Sequence, residues 1–318
     1  MKTSVVTFFV LTIFLASCEE TLLPVVETIS YEIVSMESVL LTGEVTNESG
    51  GAVTKRGFCW GTNSEPTVND YSSENDYGPG TFTQEIHVTY DQKYFFRSYA
   101  IDANGTQFGK VLCFKTELKP VFRTMTDRRD WKSYRTVKIN NQTWMAENLA
   151  FLPSVSRQDQ GSSDSPYYYV YNYEGSNVAD AKSTENYDTY GVLYNWRAAM
   201  IACPSGWHLP SDEEWTILTD YLGSSAGVFL KEPGTTHWEN PNTGANNASG
   251  FKALPGGMRT YRWGFVADGT YALFWSASEG DEPFAWCLCL GYSYDHVAHG
   301  YDYSDAGFSV RCLKNENQ

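Results

Sequence analysis

A chain of 318 residues with 19% charged and 42% hydrophobic side chains is too apolar to be disordered and long enough to bury two cores. Its formal net charge of −15 excludes a nucleic-acid partner, because an acidic surface repels a phosphate backbone. Aromatic residues reach 15%, with 22 Tyr and 10 Trp, the balance of a β-rich extracellular fold rather than of long helices.

The first residues carry an address. Lys2 supplies a positive start, and "VVTFFVLTIFLA" is an apolar run of signal-peptide length, too short to span a bilayer. Leu15-Ala16-Ser17-Cys18 closes the run and resembles a bacterial lipobox, in which Cys18 becomes the acylated new N-terminus. The plainer reading is an ordinary signal peptide that ends at a cysteine. The pattern assigns residues 1–17 to a signal peptide and 18–23 to a tether, with the membrane as a partner through a lipid anchor at Cys18. Glu19 and Glu20 resemble the acidic export signal of surface lipoproteins in Bacteroidetes-type bacteria, which implies the outer membrane, facing outward.

Of seven cysteines, Cys59, Cys113, Cys203, Cys287, Cys289 and Cys312 remain for a compartment where disulfides persist. Cys287 and Cys289 lie two apart in "AWCLCLGY". A strand there puts both thiols on one face, where a bridge between them has poor geometry.

Residues 24–117 alternate in short segments, "SVLLTGEV", "KRGFCWG", "TFTQEIHVTY", "KYFFRSYAID" and "GKVLCFKT", separated by turn residues such as "DANG". Strands at this spacing predict a β-sandwich. Gly57-Phe58-Cys59-Trp60-Gly61, Gly80-Thr81-Phe82, and Tyr94-Phe95-Phe96-Arg97-Ser98-Tyr99-Ala100 resemble the fibronectin type III-like modules of bacterial surface lipoproteins. The resemblance implies a spacer or binding scaffold, with Trp60 and Tyr99 as core aromatics. Residues 118–135 then form a polar connector, and Lys119-Pro120 resists helix.

In the second domain, residues 136–314, Val137 and Ile139 share a strand face ahead of a turn at Asn140-Asn141. Residues 153–189 are rich in Ser, Asp and Tyr and read as loop; within them "YYYVYNYE" is either an exposed recognition patch or, as favoured, a strand. "GVLYNWRAAMIAC" carries Leu193, Trp196, Ala199 and Met200 at helical spacing, and Pro204 stops that helix. Ser211-Asp212-Glu213-Glu214 has the spacing of a capping box that starts a second helix, with Trp215, Leu218 and Leu222 on its buried face and Gly223 as its C-cap. His208, between Trp207 and Leu209, reads as a hydrogen-bonded structural histidine rather than a base.

Several blocks keep their order over this domain: Trp144-Met145-Ala146-Glu147-Asn148-Leu149, Tyr190-Gly191-Val192-Leu193-Tyr194-Asn195-Trp196, Gly206-Trp207-His208-Leu209-Pro210-Ser211-Asp212, Trp275-Ser276-Ala277-Ser278-Glu279 and Gly307-Phe308-Ser309-Val310-Arg311-Cys312. They resemble the Fibrobacter succinogenes major paralogous domain, which implies the C-type-lectin-like fold also used by formylglycine-generating enzymes. That resemblance implies a disulfide between Cys203 and Cys312. The fold class expected is a β-rich two-domain protein: a fibronectin type III-like β-sandwich followed by an α+β C-type-lectin-like domain.

Such a fold brings no chemistry of its own. The expected function is a non-enzymatic surface lipoprotein that binds a glycan or a protein, with contacts sought in "GYSYDHVAHGYDYSD" at Tyr292, Tyr294, Asp295, His296, His299 and Tyr301. One alternative is an oxidoreductase similar to formylglycine-generating enzymes that uses Cys287 and Cys289, although their spacing departs from that family's wider separation. The other is a metal-dependent binding domain, with Asp295, His296, His299, Asp302 and Asp305 as ligands for Ca²⁺ or Zn²⁺. Their spacing matches no ligand motif, so neither metal nor cofactor is expected. No catalytic triad or phosphate-cradling loop stands out, but a glycosidase's two acids can come from distant segments.

Overall fold

The computed structural model describes residues 23–46, 52–260, 262 and 264–316. Cys18, the signal peptide and nearly all of the expected tether lie outside the described residues. The protein is β-rich, 40% strand and 12% helix. The described chain divides into two compact units. The first takes in the residues up to Glu32, Leu40–Ile86 and Lys93–Phe114; the second takes in Ile33–Val39, His87–Gln92 and the chain from Lys115 onward.

The first unit contains strands β1 (Val25–Ile33), β2 (Ser38–Thr46), β3 (Lys55–Gly61), β4 (Tyr71–Ser72), β5 (Gly80–His87), β6 (Lys93–Asp102), β7 (Gly105–Phe108) and β8 (Leu112–Lys115). One sheet has the order β1-β2-β5; the other runs β4-β3-β6-β7, with β8 also on β6. Their inner faces meet through Phe58 and Phe82, with ring centroids 4.9 Å apart, and through the buried Thr28 and Ser98 hydroxyls at 3.0 Å. Strand β1 lies outside the five expected segments, because its outward residues are polar or exposed. Tyr99 is buried and donates its hydroxyl to Ser73 O at 2.7 Å. Trp60 departs from expectation: it is only half-buried and stacks on the exposed ring of Tyr71, so it covers a sheet edge instead of filling the core.

The second unit contains β9 (Val121–Thr126), β10 (Ser133–Ile139), β11 (Gln142–Met145), β12 (Tyr168–Tyr169), α1 (Val178–Lys182), α2 (Glu185–Tyr190), β13 (Leu193–Tyr194), α3 (Trp196–Ala202), β14 (Trp207–His208), α4 (Asp212–Leu222) and α5 (Ala226–Leu230). It continues with β15 (Gly256–Thr260), β16 (Gly264–Asp268), β17 (Tyr271–Glu279), β18 (Phe284–Gly291), β19 (Ala298–Tyr303) and β20 (Leu313–Lys314). Two five-stranded sheets run β14-β20-β11-β10-β9 and β16-β15-β17-β18-β19, and β12 pairs with β13. Strand β17 separates two cores. Leu273 and Trp275 face Trp196, Tyr194 and Phe308, while Ala272 and Phe274 face Trp144, Trp215 and Phe251. A strand buried on both faces reads as a continuous apolar run, which is what "YALFW" is.

Local chemistry sets the element boundaries. Helix α4 begins with a reciprocal capping box: Glu214 N donates to Ser211 Oγ at 3.2 Å, and Ser211 N donates to Glu214 Oε2 at 2.8 Å. Trp215, Leu218 and Leu222 are its buried face, and Gly223 ends it at φ 87°. The Ser211→Ala variant is expected to lose about 1 kcal/mol, a melting shift of a few °C measurable by near-UV circular dichroism. Helix α3 starts at Trp196, later than the periodicity predicts, because Asn195 caps it by accepting from Ala198 N at 3.0 Å. Leu193 therefore belongs to β13, and Met200 points outward, 45% exposed.

Two other expectations change. The connector 118–135 holds β9, which pairs along β10 from Val121↔Lys138 to Thr126↔Ser133. The loop-like stretch 153–189 holds β12 and two short helices, capped by Asn177 and Thr184. In "YYYVYNYE", Tyr168, Tyr169, Val170 and Tyr171 are buried, the strand alternative rather than a recognition patch.

Candidate functional site

The β18–β19 hairpin carries the residues expected to contact ligand, and it separates them into two groups. Around its turn, Tyr294 stacks on His296 with centroids 5.3 Å apart and meets Tyr271 at 6.5 Å, and His296 Nδ1 lies 3.4 Å from Asp295 Oδ1. Tyr292 packs against the apolar core instead of solvent. On β19, His299 Nδ1 lies 2.9 Å from Asp212 Oδ1 in the first turn of α4. Tyr301 is 63% exposed and rests edge-on against Phe284 at 5.3 Å and Trp286 at 6.1 Å. The register Trp286↔Tyr301 and Leu288↔His299 puts these side chains on one face, anchored inward by the buried Leu288.

A residue missed by sequence reasoning fixes the turn. Lys231 is fully buried, and its Nζ donates to Tyr294 O at 2.6 Å, Gly291 O at 3.0 Å and Thr243 O at 3.3 Å. Burial pushes its pKa down to about 8. A lysine beside Glu232-Pro233 reads locally as surface charge, so only the fold reveals its position.

The second unit also holds a polar cavity of about 440 Å³, within the size range of small-ligand sites. Its walls come from distant segments: Phe122 on β9, Lys132 to Arg135 entering β10, Glu147 and Asn148 after β11, Tyr187 to Thr189 on α2, His237, then Asn247, Gly250 and Lys252, and Arg311. Arg311 is fully buried. It donates to Asn148 Oδ1 at 2.8 Å, Met145 O at 3.2 Å, Lys252 O at 2.8 Å and Phe251 O, and its guanidinium lies 4.4 Å from the Phe251 ring centroid. Burial lowers its pKa, but a guanidinium remains a cation at neutral pH. Gly250, at φ 76°, lets the wall close, since a Cβ there would lie 2.6 Å from Phe122 Cζ. On one side Glu232 braces His237 Nδ1 at 2.7 Å and Lys252 Nζ at 3.2 Å.

Next to the cavity the β9–β10 turn is held tightly. Asp127 is buried; burial opposes its charge, yet the Arg129 guanidinium, bound at 2.6 and 2.9 Å, keeps its pKa below the ordinary carboxylate value. Arg129 also reaches Ala202 O at 2.6 Å. In this turn Trp131 adopts φ 61° while 75% exposed.

A family model described as the Fibrobacter succinogenes major domain matches residues 137–314, from β10 to β20. The chain belongs to this family. Among curated proteins none matches the chain. Within this Fibrobacter succinogenes major domain lie the cavity's Glu147, Asn148, His237, Lys252 and Arg311, the hairpin, and Cys203, Cys287, Cys289 and Cys312.

Cys203 and Cys312 of the domain are bonded, S–S 2.08 Å, across a separation of 109 residues. Cys287 and Cys289 are free, and both sit on the face of β18 that packs against Trp275 and its neighbours. Burial pushes both thiols up, Cys289 to about 11 and Cys287 further. A group whose folded pKa is raised stabilises the fold below its unfolded value, here near 9, and that contribution is lost as pH climbs through 11. Native protein at pH 8 is therefore expected to react with iodoacetamide at exposed Cys113 and to spare Cys59, Cys287 and Cys289 until it is unfolded, as peptide mass mapping would read. His208 Nδ1 lies 2.7 Å from Asn315 Oδ1, and its Nε2 lies 2.9 Å from Glu214 Oε1, a position that ties β14 to the α4 cap. Among the described residues no group of three or more His, Cys, Asp or Glu is gathered to hold a metal. No described helix is long and apolar enough to cross a membrane.

Proposed function

We propose that this chain is a non-enzymatic lipoprotein, anchored through Cys18 in the outer membrane and facing outward, that binds a glycan or protein ligand. In this reading the first unit is a fibronectin type III-like spacer and the second a C-type-lectin-like display domain. One observation carries it: the exposed ring of Tyr301, backed by Phe284 and Trp286 and next to the His299–Asp212 pair. An aromatic face with a polar edge suits a sugar ring, whose C–H groups pack on the aromatic while its hydroxyls meet the His299 imidazole and the Asp212 carboxyl group. β19 also ends its sheet, so its outer backbone groups are open to an extended peptide. The thiols of buried Cys287 and half-buried Cys289, both pushed towards the protonated form, speak against the oxidoreductase alternative.

A glycan array probed with the wild type and the Tyr301→Ala variant, with and without EDTA, tests the reading. The expected result is a bound glycan whose signal falls at least about tenfold in the variant and is unchanged by EDTA, since an anchoring aromatic is commonly worth ~2 kcal/mol. Equal binding by both proteins would sink the Tyr301 surface, and turnover of any arrayed glycan would overturn the non-enzymatic assignment. Incorporation of labelled fatty acid, abolished by Cys18→Ala, tests the anchor.

A further inference from the structure

The cavity has features that folding does not account for. Lys132 and Arg135 lie over aromatic rings, 5.0 Å from Tyr187 and 4.2 Å from Phe122, and neither has a carboxylate partner among the described residues. In a chain of net charge −15, with acids to spare for pairing, these two cations stay unpaired on one cavity wall. Glu147 and Asp188 line the same cavity; Glu147 Oε2 accepts from Arg135 N at 3.0 Å, and among the described residues neither acid has an ion-pair partner. Trp131, in the turn that delivers Lys132 to the wall, holds a bulky side chain in left-handed backbone, a conformation that costs energy and that glycine adopts freely. Three-quarters exposed, its indole recovers little of that cost through burial.

We propose that this cavity binds an acidic sugar unit of the uronate type: its carboxylate is taken by Lys132 and Arg135, its hydroxyls donate to Glu147 and Asp188, and the exposed indole of Trp131, next to Lys132 in the chain, closes over the ring. The mixed lining decides the class. A guanidinium and an ammonium on one wall match a single carboxylate. Two carboxylates on the same cavity require a ligand that also brings O–H donors, and they repel a doubly charged phosphate. A neutral sugar leaves both cations unanswered, and a simple carboxylate leaves both acids without donors. The site is separate from the Tyr301 surface, so each can fail alone.

The full chain is titrated with glucuronate and galacturonate, with glucose and galactose as neutral counterparts, and with acetate and inorganic phosphate as charge-only controls, following the Trp131 indole proton by NMR. That signal is identified by its loss in Trp131→Gly. The expected result is that at least one uronate binds about tenfold or more tighter than its neutral counterpart and than either control. Lys132→Gln and Arg135→Gln should each weaken it about tenfold, and rising salt should weaken it further. Trp131→Gly should lower affinity while the melting temperature holds or rises, which distinguishes a binding role from a folding role. The proposal is overturned if neither uronate binds, if neutral sugars or phosphate bind equally well, or if the three variants bind like wild type.

Discussion

Replacing Cys203 and Cys312 together by alanine is expected to destabilise the second unit by about 4 kcal/mol, because the bridge closes a loop with a sequence separation of 109 and restricts the unfolded chain accordingly. For a unit of this size that is a melting shift of about 10 °C. Alanine is the proper replacement, since Cys312 is fully buried in the core around Trp275 and a serine hydroxyl there would need a partner. Almost all tryptophans lie in the second unit, so intrinsic fluorescence reports its unfolding with little signal from the first. Reduction of the wild type should reproduce the effect of the double variant. A difference below about 1 kcal/mol by both routes would show that the packing of α3 against β17 holds the segment without the bond.

The features legible in the sequence are those whose cause is local. The α4 cap needs only Ser211 and Glu214 at their spacing, and the β10–β11 hairpin needs only Val137, Ile139 and the turn at Asn140, which takes φ 52°. Strand β9 was hidden because it is an edge strand with most of its residues exposed, so "VFRTMT" lacks the apolar alternation that marks a half-buried strand. The start of α3 was misplaced because a 3.6-residue pattern extends through Leu193, whereas the Asn195 cap sets the boundary. The cavity was illegible for another reason. Glu147, Asp188, His237, Lys252 and Arg311 come from segments far apart in the chain, and each alone reads as an ordinary polar side chain facing solvent. Within the hairpin, the sequence grouped Tyr292 with Tyr301, but Tyr292 follows β18 and packs half-buried against the apolar core, whereas Tyr301 lies on the edge strand β19 and is turned to solvent.

Arg311→Met is expected to cost about 3–5 kcal/mol, although methionine fills most of the same volume and removes a buried charge. Exchanging a buried ion pair for apolar groups is often harmless, because both desolvated charges disappear together. Here the partners are Met145 O, Phe251 O, Lys252 O and Asn148 Oδ1, and three of these are backbone carbonyls that no side-chain change can take away. Each acceptor left without a donor costs about 1–3 kcal/mol, which outweighs the relief of an uncharged core. Arg311→Lys should fall between: it keeps the cation, and its ring contacts with Phe251 and Phe274 in part, but three donors on one nitrogen cannot span the four acceptors that the planar guanidinium reaches. Denaturant titration would rank wild type above Lys above Met. Equal stability for all three would mean that the carbonyls find other donors, and that Arg311 is not what joins the segment leading into β20 to the 145–148 and 251–252 segments. If the ranking holds, the cavity's shape depends on Arg311, because the same guanidinium that satisfies those carbonyls also lines the cavity.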